Sequence, residues 1–405
     1  MRQILFHRDF ISRYEESPVA ELLGDFDRWL REVRYCNPKA RRHIGYVRFA
    51  LERASELPED WRFDAKDLNR LFRSRVRPRS FARTRWAFEQ YLRARDRWIQ
   101  TLASGPHQQL LDAYSAYMRD LQGLAPTSID QRIRVTRAFL ALCCPPPRTP
   151  ADLTPRHVER FIARRARRLG RAAITSTVGY LRKFLRYCQE RGLCPPGLDA
   201  IDRPHRYRDE RPPRAIPWEL AQRLLASIDR STRMGCRDYT VLYLMTHFGL
   251  RTGDVCALTL ADFDRRARVL KVDLPKVHST LSLPLARPTV RVLERYLRNG
   301  RPRTERAELF LSVAAPLAPM TRGAVSEAFK RHVERSGLPL TGHSPYGLRH
   351  GFAMRLLERG VGIKAIGDLL GHRTLESTAV YLRLNTEALR DVALQVPRAV
   401  RREVI

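Results

Sequence analysis

The chain lacks any run of 18 or more apolar residues that is free of charge, so we expect no transmembrane helix. Its opening residues, MRQILFHRDFISRYEE, carry charges throughout, and we therefore expect no signal peptide. Acidic residues are in short supply, because 43 Asp and Glu stand against 75 Lys and Arg, which gives a formal net charge of +32. Lysine is scarce as well, so nearly all of the positive charge is arginine.

Cysteine is sparse, with seven residues and no C-x-x-C pair. An odd count without a secretory signal indicates reduced thiols and a cytoplasmic protein. The spacing of Cys143, Cys144, Cys188 and Cys194 does not fit a structural zinc site. The sequence also has no ATP-binding motif and no carboxylate cluster for a metal. We therefore expect neither a metal nor a cofactor.

The excess of positive charge points to a polyanionic partner, and nucleic acid is the simplest candidate. Arginine-rich usage can reflect genome composition, which would explain arginine in place of lysine. That habit does not explain why acidic residues fail to balance the arginines. The charge is spread along the whole chain, as expected of a protein that surrounds DNA.

Two breaks divide the chain into segments. The clearest is DRPHRYRDERPPRAIP at 202–217, which is charged, rich in proline and poor in apolar residues, as interdomain linkers are. The other lies near Gly105-Pro106. The resulting division is an N-terminal helical module at 1–104, a second helical domain at 107–201, the linker at 202–217, a larger domain at 218–385, and a tail at 386–405.

The first two segments resemble each other. FDAKDLNRLF (63–72) aligns with LTPRHVERFI (153–162), SFARTRWAFEQYLR (80–93) with AITSTVGYLRKFLR (173–186), and ELLGDFDRWL (21–30) with QLLDAYSAYM (109–118). Apolar positions coincide at helical spacing in each pair. This pattern predicts two four-helix units of one design. The alternative is the general likeness of any two arginine-rich amphipathic stretches.

Helix signals occur in both of the first two segments. Ser17-Pro18 in the first and Thr154-Pro155 in the second each read as a cap followed by proline at the first helical position. One expected helix opens at Pro126, and another lies near 173–190. Basic side chains on the outer faces of these two helices would suit contact with a DNA backbone, although a solvated face is the alternative for each residue. The predicted DNA-binding residues are Arg132, Arg134, Arg137, Arg182, Lys183 and Arg186.

The third segment alternates helix and strand patterns. VLKVDLPKVHSTLSLPL (269–285) alternates apolar and polar residues and contains turn residues, so it predicts a hairpin or short sheet. Helices are expected at 218–229, 236–249, 289–298, 322–336, 347–359, 362–370, 375–383 and 386–395. The expected fold class is mainly α, with helical N-terminal domains followed by an α+β domain that has a small antiparallel sheet.

Four stretches of this domain carry the expected chemistry: FGLRTGDVCALTLADF, LPKVHSTLSLPL, YGLRHGFAMRLLERG and IGDLLGHRTLESTAVYLRL. In order and spacing they resemble the four motif boxes of the tyrosine recombinase, or phage-type integrase, family. The resemblance covers 213–385, and residues 107–201 more loosely resemble the family's SAM-like core-binding domain. The most specific part is the last box, where a histidine precedes a tyrosine by nine residues.

The resemblance implies a catalytic set. Arg251 and Arg349 would be the two catalytic arginines, Lys276 the hairpin lysine, His372 the histidine of the last box, and Tyr381 the nucleophile. Lys271 is a less favoured alternative to Lys276. Two guanidiniums can bind the non-bridging phosphate oxygens, a lysine can protonate the leaving oxygen, and a tyrosine can form a covalent phosphotyrosine. Such chemistry requires no metal and no ATP.

Three further residues would support that set. Asp254 would orient neighbouring side chains, and His350 occupies a position that is usually supportive in the family. Tyr346 is a departure, because the family usually has histidine there. A phenol has an ordinary pKa near 10 against about 6.5 for imidazole, so it is a poorer proton acceptor. We expect Tyr346 to keep a hydrogen-bonding role, with His350 or His343 supplying proton transfer. The alternative is slowed chemistry that awaits a partner protomer.

The resemblance implies a site-specific DNA recombinase or integrase that forms a 3′-phosphotyrosyl intermediate. The extra module at 1–104 would be either a second core-binding-like domain or an arm-site binder, and its presence favours a recombinase that moves a mobile element. The expected partners are double-stranded DNA with inverted-repeat core sites, further copies of the chain as dimers to tetramers, and sister recombinases, with no membrane. The tail at 386–405 would dock either on a neighbouring subunit or on its own domain. The expected location is the cytoplasm, at the nucleoid. The alternatives are a type IB-like topoisomerase and a sequence-specific DNA-binding protein with a decayed active site.

Overall fold

The computed structural model describes residues 19–54, 57–58, 60–73, 78–99, 107–202, 204, 214–274, 279–315, 317–372 and 374–382. These residues are mostly helical, with one three-stranded antiparallel sheet, which confirms the expected fold class. No helix among them is both long enough and apolar enough to cross a membrane. The chain forms two compact units, one of residues 1–55, 77–91 and 211–405 and the other of residues 56–76 and 92–210. The division into modules at 104 and 201 stays a prediction.

In sequence order, the first eight α-helices of the described residues can be set out as two groups of four. The first set is α1 (Ala20–Glu32), α2 (Asn37–Glu52), α3 (Ala65–Leu71) and α4 (Pro78–Ala94); the second is α5 (Gln108–Asp120), α6 (Pro126–Cys143), α7 (Pro155–Ala166) and α8 (Arg171–Gln189). Starts at residues 20, 37, 65 and 78 correspond to starts at 108, 126, 155 and 171, so the offset grows only from 88 to 93. This regular offset has the form that a repeat requires, but α3 belongs to the compact unit of residues 56–76 and 92–210, so the two four-helix units of one design stay a prediction.

Local sequence explains where these helices begin. Thr154 is the N-cap of α7, and its backbone N–H donates to Nδ1 of His157 at 3.1 Å. Proline occupies the first turn of both α6 and α7, where its missing N–H costs nothing. The expected interior of α8, including Leu181, Phe184 and Leu185, is fully buried. The cap predicted at Ser17 lies outside the described residues.

The remaining elements belong to the unit that includes residues 211–405. They are α9 (Trp218–Ala226), α10 (Arg233–Phe248), α11 (Thr252–Ala257), β1 (Phe263–Asp264), β2 (Val269–Leu274), β3 (Ser279–Pro284), α12 (Arg287–Arg295), α13 (Arg322–Ser336), α14 (Tyr346–Glu358), α15 (Ile363–Leu370) and α16 (Glu376–Ala379). A turn of π-helix at Tyr296–Gly300 follows α12.

The sheet has the order β1-β2-β3. Strand β2 pairs with β3 in a register that sets Leu270 opposite Leu283 and Lys271 opposite Ser282. Leu270 and Leu283 are buried and Lys271 is exposed, as the period of two in a half-buried strand requires. The inner face of the sheet joins the apolar core that α10 and α13 also line. The predicted hairpin is confirmed.

Several boundaries differ from the sequence expectations. Helix α11 was not expected, because its six residues are too few to show a period. Within the described part of the helix expected at 375–383, the α-helix is Glu376–Ala379. The helix expected at 289–298 begins at Arg287, and its last turn is π-helical. The helix expected at 386–395 and the whole tail lie outside the described residues.

Candidate active site

The first predicted arginine, Arg251, follows the end of helix α10. That helix is capped by Gly249, whose φ of +63° is left-handed and suits glycine because it has no Cβ. The chain then turns, so that Arg251 becomes the N-cap of α11. Its Nη2 donates to the carbonyl of Gly371 at 3.1 Å. A left-handed glycine at the end of α10 therefore directs Arg251 toward the glycine that ends α15.

Asp254 lies one turn along α11 and is 8% exposed. Its carboxylate accepts the backbone N–H of Arg251 at 3.2 Å and lies 3.8 Å from Nη1 of the same residue. A carboxylate near the start of a helix is also favoured by the helix dipole. These contacts are those of a residue that orients Arg251.

The second predicted arginine, Arg349, is in the first turn of α14 and is 2% exposed. Its Nη1 donates to the carbonyl of Gly249 at 2.7 Å, and its Nη2 donates to the carbonyl of Leu370. Both carbonyls lie at helix C-termini, where the dipole favours a cation. Its buried Nε has no hydrogen-bond partner among the described residues. Burial, followed by the charge of Arg251, lowers the pKa of Arg349.

The predicted nucleophile, Tyr381, is fully buried. Its Oη lies 3.0 Å from Nδ1 of His350, which connects the end of the described chain to helix α14. Burial, followed by the neighbouring Tyr346, raises the pKa of Tyr381 to about 12, against the opposing effect of Arg349 and Arg251. Tyr381 is therefore neutral near pH 7 and has to lose its proton before or during attack.

Both site histidines are neutral near pH 7. Burial and the charge of Arg349 lower the pKa of His350 to about 4. Burial and the two site arginines also lower the pKa of His372 to about 4. A neutral imidazole has one nitrogen that can accept a hydrogen bond. His350 can therefore accept the phenolic proton of Tyr381 at Nδ1.

His372 follows the C-cap glycine of α15, as expected. Its Nδ1 lies 2.7 Å from Oγ1 of Thr378, and its ring is stacked at 6.4 Å, centre to centre, on that of Tyr381. The hydrogen bond fixes the ring plane and leaves Nε2 available to a substrate oxygen. Thr378 was not identified from the sequence, because a threonine three residues before the tyrosine carries no distinctive signal.

Tyr346 is 44% exposed. Its ring lies edge-on to His350 at 4.4 Å between ring centres. The phenol is thus at the open side of the site, and His350 is between it and Tyr381. His343 lines surface pockets beside α13 and α14, and among the described contacts none joins it to Tyr381.

Two lysines are candidates for the leaving-group role. Lys276 lies outside the described residues, so its role stays a prediction. Lys271 is exposed on β2, as expected for a solvated strand residue.

The predicted DNA-binding residues differ in exposure. Arg134, Arg137, Lys183 and Arg186 are exposed. Arg186 pairs with Asp199 at 3.0 Å. Arg132 was expected to point outward, but it is half-buried: its Nη1 contacts Gln122 at 3.3 Å and its guanidinium lies 5.8 Å from the ring centre of Tyr180. The length of an arginine stem allows this inward course, which a helical-wheel argument does not anticipate. Arg182 is half-buried as well.

Comparison with known proteins shows which protein family the chain belongs to. Residues 216–388 match the model of the phage integrase family. The putative integrase/recombinase y4rA of Sinorhizobium fredii (strain NBRC 101917 / NGR234) is 32% identical over 298 residues, covering 72% of this chain and 71% of the relative. Tyrosine recombinase XerD of Xanthomonas axonopodis pv. citri (strain 306) is 33% identical over 212 residues, covering 50% and 68%.

A similar fold occurs among solved structures. A lambda integrase dimer bound to a core site superposes with a TM-score of 0.52 at 18% identity, covering 67% of this chain and 94% of that one. The chain belongs to the phage integrase family and is a tyrosine recombinase. This confirms the family and enzyme class that the four sequence boxes predict.

Proposed function

We propose that the chain cleaves and rejoins DNA strands at specific sites, with Tyr381 as the nucleophile. The observation that carries this proposal is the 3.0 Å contact between Tyr381 Oη and a neutral His350, beside two guanidiniums held by helix C-termini. The site thus combines a phenol, a proton acceptor for it, and cations for a phosphate.

Arg251 and Arg349 bind the scissile phosphate. Their backbone partners leave part of each guanidinium free, and the Arg349 Nε is buried without a partner among the described residues. A phosphate oxygen would satisfy that N–H and neutralise the two adjacent cations. Positive charge fixed in advance around the phosphate also stabilises the charge that develops in the transition state.

In the cleavage step Tyr381 Oη forms a bond to phosphorus, and the bond from phosphorus to the 5′-oxygen breaks. His350 accepts the phenolic proton, and Lys276 donates a proton to the departing 5′-oxygen. The products are a 3′-phosphotyrosyl bond and a free 5′-hydroxyl. Attack by a 5′-hydroxyl of the partner strand then reverses the step and rejoins DNA without ATP. His372 donates a hydrogen bond to the phosphate, and Tyr346 adds another from the exposed side.

Because Tyr381 is fully buried, the segment 374–382 has to rearrange for its hydroxyl to meet a phosphate, and proton transfer to His350 requires that their contact is kept or reformed in the rearranged site. Helix α16 is only four residues long, and a single helical turn has little stability of its own. The proposed function therefore includes rearrangement of this segment on DNA.

The proposed partners are double-stranded DNA with inverted-repeat core sites and further copies of this chain, as dimers to tetramers, together with sister recombinases. Lambda integrase, whose fold is similar, forms a dimer bound to a core site, and this supports the first two. The exposed Arg134, Arg137, Lys183 and Arg186 are candidates for contact with the DNA backbone. We place the chain at the nucleoid in the cytoplasm.

The regular helix offset supports a second core-binding-like module at 1–104, before the core-binding domain at 107–201. An additional DNA-binding module suits a recombinase that moves a mobile element. Under this proposal the catalytic domain is 218–385, and the tail at 386–405 is exchanged between protomers.

The proposed function is tested by recombination between plasmid-borne copies of the DNA that flanks the gene of this chain. The wild-type protein should exchange strands at one mapped site, and the Tyr381→Phe variant should not. Relaxation of any supercoiled plasmid without a preferred site would instead indicate a type IB-like topoisomerase. Specific binding without strand exchange or nicking would indicate a DNA-binding protein with a decayed site.

A further inference from the structure

The end of the linker lies against the helix that carries the catalytic residues. We call residues 214–217 the linker segment and the surface of α14 formed by Gly347 and Gly351 the glycine face. The backbone N–H of Ile216 donates to the carbonyl of Gly347 at 3.0 Å, and Ile216 is fully buried. Arg214 donates from Nη1 to the carbonyl of Gly342 at 3.2 Å. The linker segment is therefore fixed both at α14 and at the loop before it.

Only glycine permits this approach. A Cβ at position 351 would lie 2.2 Å from the carbonyl oxygen of Ile216, so the two backbones would have to separate by about 1 Å to reach an ordinary contact distance. A Cβ at position 347 would lie 2.9 Å from the carbonyl oxygen of Arg214 and 2.9 Å from Cγ1 of Ile216. The first conflict is with backbone, and the second is partly with a side chain.

The glycine face lies opposite Arg349. Successive residues of an α-helix are about 100° apart, so Arg349, two residues from each glycine, projects from roughly the other side of α14. There its guanidinium is held by the C-termini of α10 and α15. His350 projects from the side of α14 that lies between the glycine face and Arg349, and it contacts Tyr381. Helix α14 is thus enclosed between the linker segment and the carbonyls that hold Arg349.

We propose that the linker segment is a positioning element of the active site. By packing on Gly347 and Gly351, it sets the position of Arg349 and His350. Because the linker segment packs directly on Gly347 and Gly351, the path of the linker determines where helix α14 lies. Displacing α14 by an ångström moves both catalytic side chains relative to the phosphate, and an error of that size in catalytic geometry can lower a rate about 100-fold. The proposal rests on the proposed function for its effect on cleavage.

The test compares three glycine variants in the full chain. Gly351→Ala should lower the single-turnover rate of covalent adduct formation about 100-fold, on nicked duplex from the DNA flanking the gene, while DNA affinity by gel shift changes less than about threefold. Gly362→Ala is the matched control, because a Cβ there meets nothing within 4 Å. It should cleave as wild type.

Rescue separates positioning from general damage. Gly347→Ala should also slow cleavage, and adding Ile216→Ala should restore part of the rate, because it removes the two side-chain carbons that crowd position 347. Ile216→Ala should not rescue Gly351→Ala, whose conflict is with the Ile216 carbonyl. The Ile216→Ala single variant sets the baseline, and thermal unfolding checks that each variant is folded.

A readout independent of cleavage is the ¹⁵N ring signal of His350, assigned by His350→Gln. In wild type and Gly362→Ala it should report a neutral ring through pH 5, and in Gly351→Ala its titration should move toward higher pH. If wild-type protein forms no adduct, the proposed function is contradicted. The His350 signal would still show whether the packing of the linker segment on the glycine face positions His350. An unchanged His350 signal in Gly351→Ala, or equal losses of cleavage and DNA affinity, would overturn the positioning role.

Discussion

Replacing His350 by glutamine tests the proton acceptor of the proposed mechanism. Glutamine can accept a hydrogen bond from Tyr381 but cannot take its proton. With a pKa of about 12, the phenol is ionised in about one molecule in 10⁵ at pH 7. A positioned base typically contributes 10²- to 10⁴-fold, so we expect His350→Gln to slow adduct formation about 100- to 1000-fold. Single-turnover assays on the nicked duplex measure this rate.

The pH dependence gives a second signature of the same group. His350 accepts a proton only when it is neutral, and its pKa is lowered to about 4. The rate is measured at a protein concentration that does not saturate the DNA, so that it reports the free enzyme. Under that condition the protonation of His350 should change the rate of cleavage by wild type little between pH 8 and 5. A base with the ordinary histidine pKa would instead lose half of its activity near pH 6.5.

His43→Gln is the matched control for this experiment. His43 has a pKa that burial also lowers to about 4, and its Nδ1 contacts Thr84 in the N-terminal helices. Its replacement should leave the chemical step unchanged. Equal rates for His350→Gln and wild type would refute the assignment of His350 as proton acceptor. A rate that halves near pH 6.5 in wild type and not in His350→Gln would instead contradict the lowered pKa of His350.

Three further predictions concern stability and DNA binding. Burial lowers the pKa of four histidines from 6.5 to about 4, namely His43, His247, His350 and His372. The unfolded chain therefore binds more protons between pH 6.5 and 4, and the free energy of unfolding in urea should fall as pH is lowered through that window; a constant value would contradict it. Arg349→Lys should lower that free energy by about 1–3 kcal/mol, because a lysine ammonium lacks the forked geometry by which Nη1 and Nη2 bind the Gly249 and Leu370 carbonyls and so weakens or loses one of the two bonds; an unchanged urea midpoint would contradict this two-carbonyl contact. Replacing Arg134 and Arg137 by alanine should weaken DNA binding and reduce the slope of log affinity against log salt by about 1 for each phosphate that is no longer bound; an unchanged slope would show that these residues face solvent.

Local patterns predicted much of the fold. Helix α7 begins at Pro155, after the predicted cap at Thr154, because capping depends on neighbours within one turn. The hairpin followed from alternation that each strand carries by itself. His372 and Tyr381 could be assigned from the resemblance because they lie nine positions apart within one motif box. Features of this kind depend on sequence neighbours and can be read directly.

Contacts between distant segments could not be read in this way. Arg349 is bound to carbonyls 100 and 21 residues away, and backbone carbonyls carry no sequence signal. His350 could be placed at a helix start, but its contact with Tyr381, 31 residues on, depends on how three helices pack. Gly347 and Gly351 lie in the motif YGLRHGFAMRLLERG, but the sequence assigns them no role. The segment that packs against them is the linker, which lies over 130 residues earlier in the chain.

The most direct test of the central claim is a covalent-adduct assay. The protein would be mixed with the DNA that flanks its own gene, denatured in detergent, and compared with Tyr381→Phe. We predict an adduct in wild type that is absent from the variant and maps to one 3′-phosphate position. An adduct that persists in Tyr381→Phe, or specific DNA binding by wild type with no adduct, would contradict the assignment of Tyr381 as the nucleophile of an active recombinase.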